Sequence, residues 1–433
     1  MPFAPLKSIG MKIAIFTNTY TPHIGGVARS VSGLVEELRA TGHAVLVVAP
    51  EFAGMPEDEA GVIRVPAIQR FAGSDFSAPV PITLALVRTL DAFDPDIVHT
   101  HHPFLLGDTA LRISASRNVP VVFTYHTRYE LYGHYVAQDA SALQRLVLSL
   151  ALGCCELCDS IIAPSESMEV FLKEHGVAAP VTVIPTGIEA SRFDHGDGKR
   201  IRAELGIAPD AFVVGHVGRL AQEKNLGYLA DAVGLFLRDR GESRFMVAGG
   251  GDMQGPMREA FARSGLTGRV HLLGPVEGER LSDVYAAMDV FAFSSRSETQ
   301  GLVLAEAMTA GVPVVALDAP GAREVVVDGQ NGRLLPADVS AGRFAEALEW
   351  VARCPAAERA SLSQTARRTA AAYSRPETVR RVLSLYESLL EGHLKAKSLD
   401  DSPWAAARRA LAREWDILRN IANAVGDAAA GDE

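Results

Sequence analysis

The sequence predicts an α/β fold of two parallel-sheet domains, and three observations predict it. The chain is 433 residues long, more than one ordinary core accommodates, so two domains of roughly 180 to 200 residues are the natural division. Short apolar strands alternate with helically spaced stretches, the mark of a parallel sheet covered by helices. That alternation runs twice, with a polar lapse between the runs. Two such domains imply a cleft.

Residues 1–10 carry no structural signal and are expected to form a flexible leader, with Met11 a candidate start. Lys12 to Thr17 is a short apolar strand. Val27 to Ala40 places Val27, Val31, Leu34, Val35 and Leu38 on one helical face, and Gly42 can stop that helix. Further strands are expected at Ala44 to Ala49, Ile97 to Thr100, Val121 to Tyr125 and Ile161 to Pro164, giving a first Rossmann-like domain over 11–193. From Ile188 to Lys199 the apolar pattern lapses into a polar stretch that suits a linker. Strands resume at Phe212 to Val217, Arg244 to Ala248, Val270 to Leu273, Val290 to Phe293 and Val314 to Ala316, a second Rossmann-like domain over 194–373. Arg375 to Glu391 reads as a helix within the segment 374–397, and an amphipathic helical tail is expected over 398–433. There Trp404, Leu411, Leu418 and Val425 recur every seven residues, with Trp415 and Ile421 between. The stripe is expected to pack against protein, with an oligomer contact or a membrane-surface anchor as alternatives.

A formal net charge of -10 argues against nucleic acid as the main partner, because such binding rests on Lys and Arg neutralising phosphates. The longest apolar stretch, Leu146 to Cys155, is too short to span a bilayer, and the first ten residues lack the apolar segment of a signal peptide. A cytoplasmic protein is expected, at most peripheral on the inner face of the membrane. Three of the four cysteines crowd at Cys154, Cys155 and Cys158. The segment Leu146 to Leu157 reads as a buried helix, so they are taken as reduced core residues rather than metal ligands.

In open parallel sheets the ligand sits beyond the carboxyl ends of strands. After the first strand, Gly25 and Gly26 precede a helix and let backbone N–H groups approach a phosphate or sugar. After Phe212 to Val217, Gly218 leads into Arg219 and Lys224, two cations in one loop, which is what a diphosphate leaving group needs. Arg219 can grip two phosphate oxygens at once and Lys224 can act as a movable point charge. Gly249 opens a glycine turn after the next strand. Glu298 in a loop and Glu306 on the following helix flank Gly301, Leu302 and Val303, so the two carboxylates can accept from sugar hydroxyls and ribose with helix N-terminal amides between them. The helix is strongly apolar, which sets Glu306 apart from casual surface charge. His126 lies just beyond the strand Val121 to Tyr125. His99, His101 and His102 also cluster after a strand, but no acidic partner stands at a ligand spacing. Asp94 and Asp96 imitate a metal-binding D-x-D from the amino end of their strand, away from the cleft. No metal ligands are expected.

Arg219 with Lys224, followed by the Glu298 to Glu306 pattern, resembles the retaining glycosyltransferases of family 4, from Met11 to about Glu391. The resemblance implies the GT-B fold: two facing Rossmann-like domains, donor held mainly by the second, acceptor by the first, and a C-terminal helix crossing back to the first. It implies that Arg219 and Lys224 hold the donor diphosphate, Glu298 the sugar, Glu306 the ribose, and the loop carrying Leu273 and Val276 the base. On the acceptor side it points to His126, with His102, Tyr129 and Glu130 beside it. The run Tyr125-His-Thr-Arg-Tyr-Glu-Leu-Tyr, with Glu-Thr-Gln-Gly-Leu at Glu298 to Leu302, resembles the branch that glucosylates diacylglycerol. The expected reaction moves a hexose from a donor of UDP-glucose or GDP-mannose type to an acceptor hydroxyl, a membrane lipid such as diacylglycerol among the candidates. It needs no cofactor, because the two cations and helix N-termini meet the leaving-group charge. No carboxylate is placed as a nucleophile, so a front-face path is expected, the departing phosphate taking the acceptor's proton. The alternatives are a nucleotide-sugar epimerase of the same fold and a non-catalytic nucleotide-sugar-binding protein.

Overall fold

The computed structural model describes residues 10–23, 25–68, 78–79, 84–129, 140–396 and 403–429. Residues 1–9 of the expected leader, Glu130 and the outer parts of the tail lie outside the described residues. The chain forms two compact units, one of Met1–Gly187 together with Thr378–Glu433 and one of Ile188–Glu377.

In the first unit the strands are β1 (Lys12–Phe16), β2 (Ala44–Pro50), β3 (Val62–Val65), then β4 (Ala67–Ile68) and β5 (Ala78–Pro79), which pair antiparallel apart from the main sheet, and β6 (Ile97–Thr100), β7 (Val121–Thr124), β8 (Ser160–Ala163) and β9 (Val181–Val183). The main sheet is seven-stranded, in the order β3-β2-β1-β6-β7-β8-β9, and its pairings are parallel. Helices α1 (Gly26–Ala40), α2 (Leu84–Phe93), α3 (Leu106–Arg117), α4 (Ala140–Glu156) and α5 (Glu166–Glu174) connect the strands. Because successive side chains of a strand point to opposite faces, a continuous apolar run such as β1 feeds two cores. Ala14 and Phe16 join Val98, Val121 and Phe123 in one. Ile13 and Ile15 join Val47, Val122 and Ile162 in the other.

The second unit holds β10 (Val213–Val217), β11 (Arg244–Ala248), β12 (Val270–Leu272), β13 (Val290–Phe293), β14 (Val314–Leu317) and β15 (Gly332–Leu335) in the order β12-β11-β10-β13-β14-β15, again paired in parallel. Around it run α6 (Gly198–Glu204), α7 (Leu226–Asp239), α8 (Gln254–Arg263), α9 (Gly278–Ala286), α10 (Leu302–Thr309), α11 (Ala341–Arg353) and α12 (Ala356–Ala371). This strand order reverses between β10 and β13, and such a switch point is where a doubly wound sheet opens a crevice at its carboxyl edge.

Three expectations change. The stretch read as a linker is structured: Ile188 bridges Ser374, and the Asp197 side chain caps α6 by accepting from Arg200 N at 3.1 Å. The helix expected to be buried over Leu146 to Leu157 is α4, which buries mainly its end, with Ala151, Cys154 and Cys155 inside and Cys158 just beyond. The tail stripe was expected against protein. Helices α13 (Arg375–Ala396) and α14 (Pro403–Ala429) end the chain, and α14 does pack on α3 and α4. It does so through Ala405, Ile417 and Ala424, while the stripe faces solvent.

Candidate functional site

The loops that follow β10 and β13 meet at the switch point of the second sheet. Asn225 Nδ2 donates to Ser294 O at 3.3 Å, the Ser294 hydroxyl donates to Lys224 O and Asn225 O at 3.1 Å, and Ser297 Oγ donates to Glu223 O at 3.2 Å. This bracing carries Lys224 to Glu298: the ammonium donates to Glu298 Oε1 at 2.6 Å, with both side chains mostly buried. Burial pushes the Glu298 carboxyl up, but the Lys224 charge and hydrogen bonds from Lys224 and Ser295 outweigh it and hold the group below its ordinary value. Arg219 is about half exposed and pairs with Glu223 at 2.5 Å. Each cation of the loop therefore stands against a carboxylate.

The glycines serve this geometry. Gly249 has φ +145°, and a Cβ there would stand 1.8 Å from Gly218 O, so the loops after β10 and β11 can approach only with glycine at 249. Leu220 N donates to Gly250 O, and Gly249 N to Gly274 O, both at 2.8 Å. The half-buried Leu273 and Val276 belong to the loop tied in by the second bond. Gly301 caps α10, whose first residues Leu302 and Val303 are half-buried. Glu306 is buried and accepts from Tyr285 OH at 2.7 Å.

One residue of this edge escaped the sequence reading. His216 lies inside β10, buried; its Nδ1 donates to Ala292 O at 3.0 Å, which leaves Nε2 as a buried acceptor with no hydrogen-bond partner among the described residues. Burial first, then the Lys224 charge, hold it neutral, with the pKa lowered to about 4. The only signal in the sequence was a polar side chain within Val213 to Val217.

In the first unit the order of strands also reverses, between β1 and β6. Asn18, after β1, spans that point: its backbone N–H donates to His102 Nδ1 at 3.0 Å, its Nδ2 to Phe104 O at 3.0 Å, and its Oδ1 accepts from Leu106 N at 3.2 Å. His102 is thus a buried brace. Gly25 caps α1 and Gly26 begins it. His126, half-buried beyond β7, shares a hydrogen bond of 2.8 Å between its Nε2 and His101 Nδ1, the rings stacked at 5.1 Å. His99 uses both ring nitrogens, with Tyr386 OH at 2.6 Å and Thr124 Oγ1 at 2.7 Å. Burial lowers the pKa of His99 and His102 to about 3 and of His126 to about 4. Tyr129 packs edge-on against Phe104 and Tyr125 in the core, and Glu130 lies outside the described residues. Among the described residues no group of three or more His, Cys, Asp or Glu could hold a metal ion. Asp96 accepts from Lys12 N at 2.7 Å, at the amino edge of the sheet.

Family models match both parts of the chain: Glycosyltransferase Family 4 over residues 24–192 and Glycosyl transferases group 1 over residues 197–369. The chain is 30% identical over 345 residues to an alpha-monoglucosyldiacylglycerol synthase of Streptococcus pneumoniae, covering 78% of either chain. It is 30% identical over 386 residues to a GDP-mannose-dependent alpha-mannosyltransferase of Mycobacterium tuberculosis, covering 88% of this chain and 97% of the relative. The structure of sucrose-phosphate synthase from Thermosynechococcus elongatus matches with a TM-score of 0.71 at 22% identity, over 88% of this chain and 99% of that one. At that identity the likeness speaks for the fold alone.

Proposed function

We infer the reaction from one premise: the chain belongs to glycosyltransferase family 4 and is a retaining glycosyltransferase of the GT-B fold. The proposal is transfer of a hexose from a UDP-glucose or GDP-mannose type donor to the hydroxyl of a lipid acceptor of the diacylglycerol class. The observation that carries it is the Lys224–Glu298 ion pair at the switch point, with Arg219 in the same loop. A nucleotide diphosphate sugar can enter such a site without stranding either charge, because phosphate oxygens take the ammonium and sugar hydroxyls the carboxylate.

In this reading Arg219 and Lys224 gather the charge that develops on the diphosphate, Glu298 orients the sugar, Glu306 with its Tyr285 bond takes the ribose, and the loop of Leu273 and Val276 takes the base. Gly25 and Gly26 offer the amides of α1. His126, kept neutral, is the acceptor-side contact. The departing phosphate takes the acceptor's proton on the face it leaves, and with two cations at the leaving group the transfer proceeds in the presence of a chelator. A lipid acceptor is supported by the names of relatives such as the monoglucosyldiacylglycerol synthase and by the exposed stripe of α14. Peripheral association with a membrane belongs to the same proposal; among the described residues no helix is long and apolar enough to cross one.

The test is to incubate purified protein with UDP-glucose or GDP-mannose and diacylglycerol in mixed micelles, with and without EDTA, and to read the product's anomeric configuration by NMR. One donor should yield an α-linked glycolipid in both conditions. Epimer or free sugar formed without acceptor would instead favour the epimerase.

A further inference from the structure

Helix α14 is amphipathic in an inverted sense. Polar contacts sew it to the first unit: on one side Arg413 Nη1 donates to Leu157 O at 2.6 Å, Ser149 Oγ to Asp427 at 2.6 Å and Asn420 Nδ2 to Leu150 O at 3.3 Å, and at the border of that side Arg112 holds Glu414 through two hydrogen bonds of 2.7 and 2.9 Å. Gly153 of α4 lets the helices close, since a Cβ there would fall 1.7 Å from Asn420 Oδ1. The opposite side presents Trp404, Leu411 and Trp415, exposed by 81, 73 and 64%, in line with Leu418, Ile421 and Val425, exposed as well.

At 100° per residue these six side chains span about 120°, and Glu414, the charged residue that falls within that arc between Ile421 and Val425, is held by Arg112. A contiguous apolar face of this kind, held outward by a docked helix, marks an interaction surface.

We propose that this face of α14 seats the protein on a lipid bilayer, the helix lying flat in the interface with Trp404 and Trp415 at the depth of the headgroups. Tryptophan is the side chain enriched at that depth, where an apolar ring and a polar N–H are both accommodated. Arg408 and Arg419 are exposed along one border of the stripe, Arg419 within 3.0 Å of Asp416, and on a bilayer this border would meet lipid phosphates. A second copy of the chain fits the face less well. A coiled-coil seam between two such helices needs apolar residues three or four positions after each of Trp404, Leu411 and Leu418. Three positions on stand Ala407, Glu414 and Ile421, with Glu414 already committed to Arg112, and four positions on stand Arg408, Trp415 and Ala422, so a charged residue interrupts either register. The inference rests on the lipid-acceptor reading only in explaining why the enzyme would seek a membrane.

The chain has three tryptophans, so a Trp350→Phe variant reports on Trp404 and Trp415 alone. With vesicles of phosphatidylcholine and phosphatidylglycerol, its emission should shift to the blue and be quenched by brominated acyl chains. A quadruple Trp404→Ser, Leu411→Ser, Trp415→Ser, Leu418→Ser variant should co-sediment with those vesicles at least about tenfold less. It should keep the wild-type circular dichroism and melting midpoint, because the four side chains are exposed. Absence of wild-type co-sedimentation overturns the proposal, as does a wild-type dimer in light scattering that the quadruple variant dissociates. Vesicle binding without glycolipid synthesis would sink the acceptor reading and leave this one standing.

Discussion

The Lys224 ammonium is within 2.6 Å of Glu298, and its charge acts on a neutral His216 whose Nε2 has no hydrogen-bond partner among the described residues; such a buried acceptor costs free energy until something donates to it. Replacing Lys224 with Ala is expected to lower kcat by about a hundredfold or more, the range for removal of one charge-stabilising group, and to abolish the thermal protection given by the donor. Near-normal turnover would remove Lys224 from the diphosphate site, and the same expectation holds for Arg219→Ala. The histidines set a pH dependence. His99, His102, His126 and His216 have folded values of about 3 to 4, below the ordinary 6.5 of the unfolded chain. The unfolded state therefore binds more protons between those values, and stability, complete above about pH 6.5, falls as pH drops toward 4. The melting midpoint should decline through that window. His102→Asn, which can still accept from Asn18 N, should flatten the decline.

At the scale of elements, close backbone approach decides what each loop and helix can do. Gly249→Ala places a Cβ on Gly218 O and imposes a strained left-handed φ; a loss of about 1 to 3 kcal/mol in urea unfolding is expected. Helix α14 is anchored by few apolar side chains, chiefly Ile417, which shares a core with Cys154, Cys155 and Cys158. Ile417→Ala should cost about 2 to 4 kcal/mol, and as α14 loosens those buried cysteines should react faster with a thiol reagent. An unchanged labelling rate would mean that the polar contacts alone hold the helix.

Across the whole molecule, the first unit is closed by the far end of its own chain: Val379, Val382 and Tyr386 of α13 complete the core that begins at Ile13, and Tyr386 OH meets His99 Nδ1 at 2.6 Å. Tyr386→Phe keeps the ring but deprives a buried nitrogen of its partner, so about 1 to 3 kcal/mol should be lost; a neutral result in urea unfolding would show that water replaces the hydroxyl. The two parallel sheets and the loops bearing Gly218, Arg219, Lys224 and Glu298 were legible because continuous apolar runs bounded by glycine mark buried strands, and ligands gather at one end of such strands. His216 was not legible, since a histidine among valines acquires meaning only when its neighbour in the sheet, β13, supplies Ala292 O. Nor was the pairing of His101 with His126, which needs β6 beside β7. The seven-residue repeat of the tail told which side chains share a face of α14. Which face is buried was decided by Arg112, Ser149 and Gly153, hundreds of residues away in the chain, because periodicity orders side chains around a helix while burial depends on what the folded molecule brings against it.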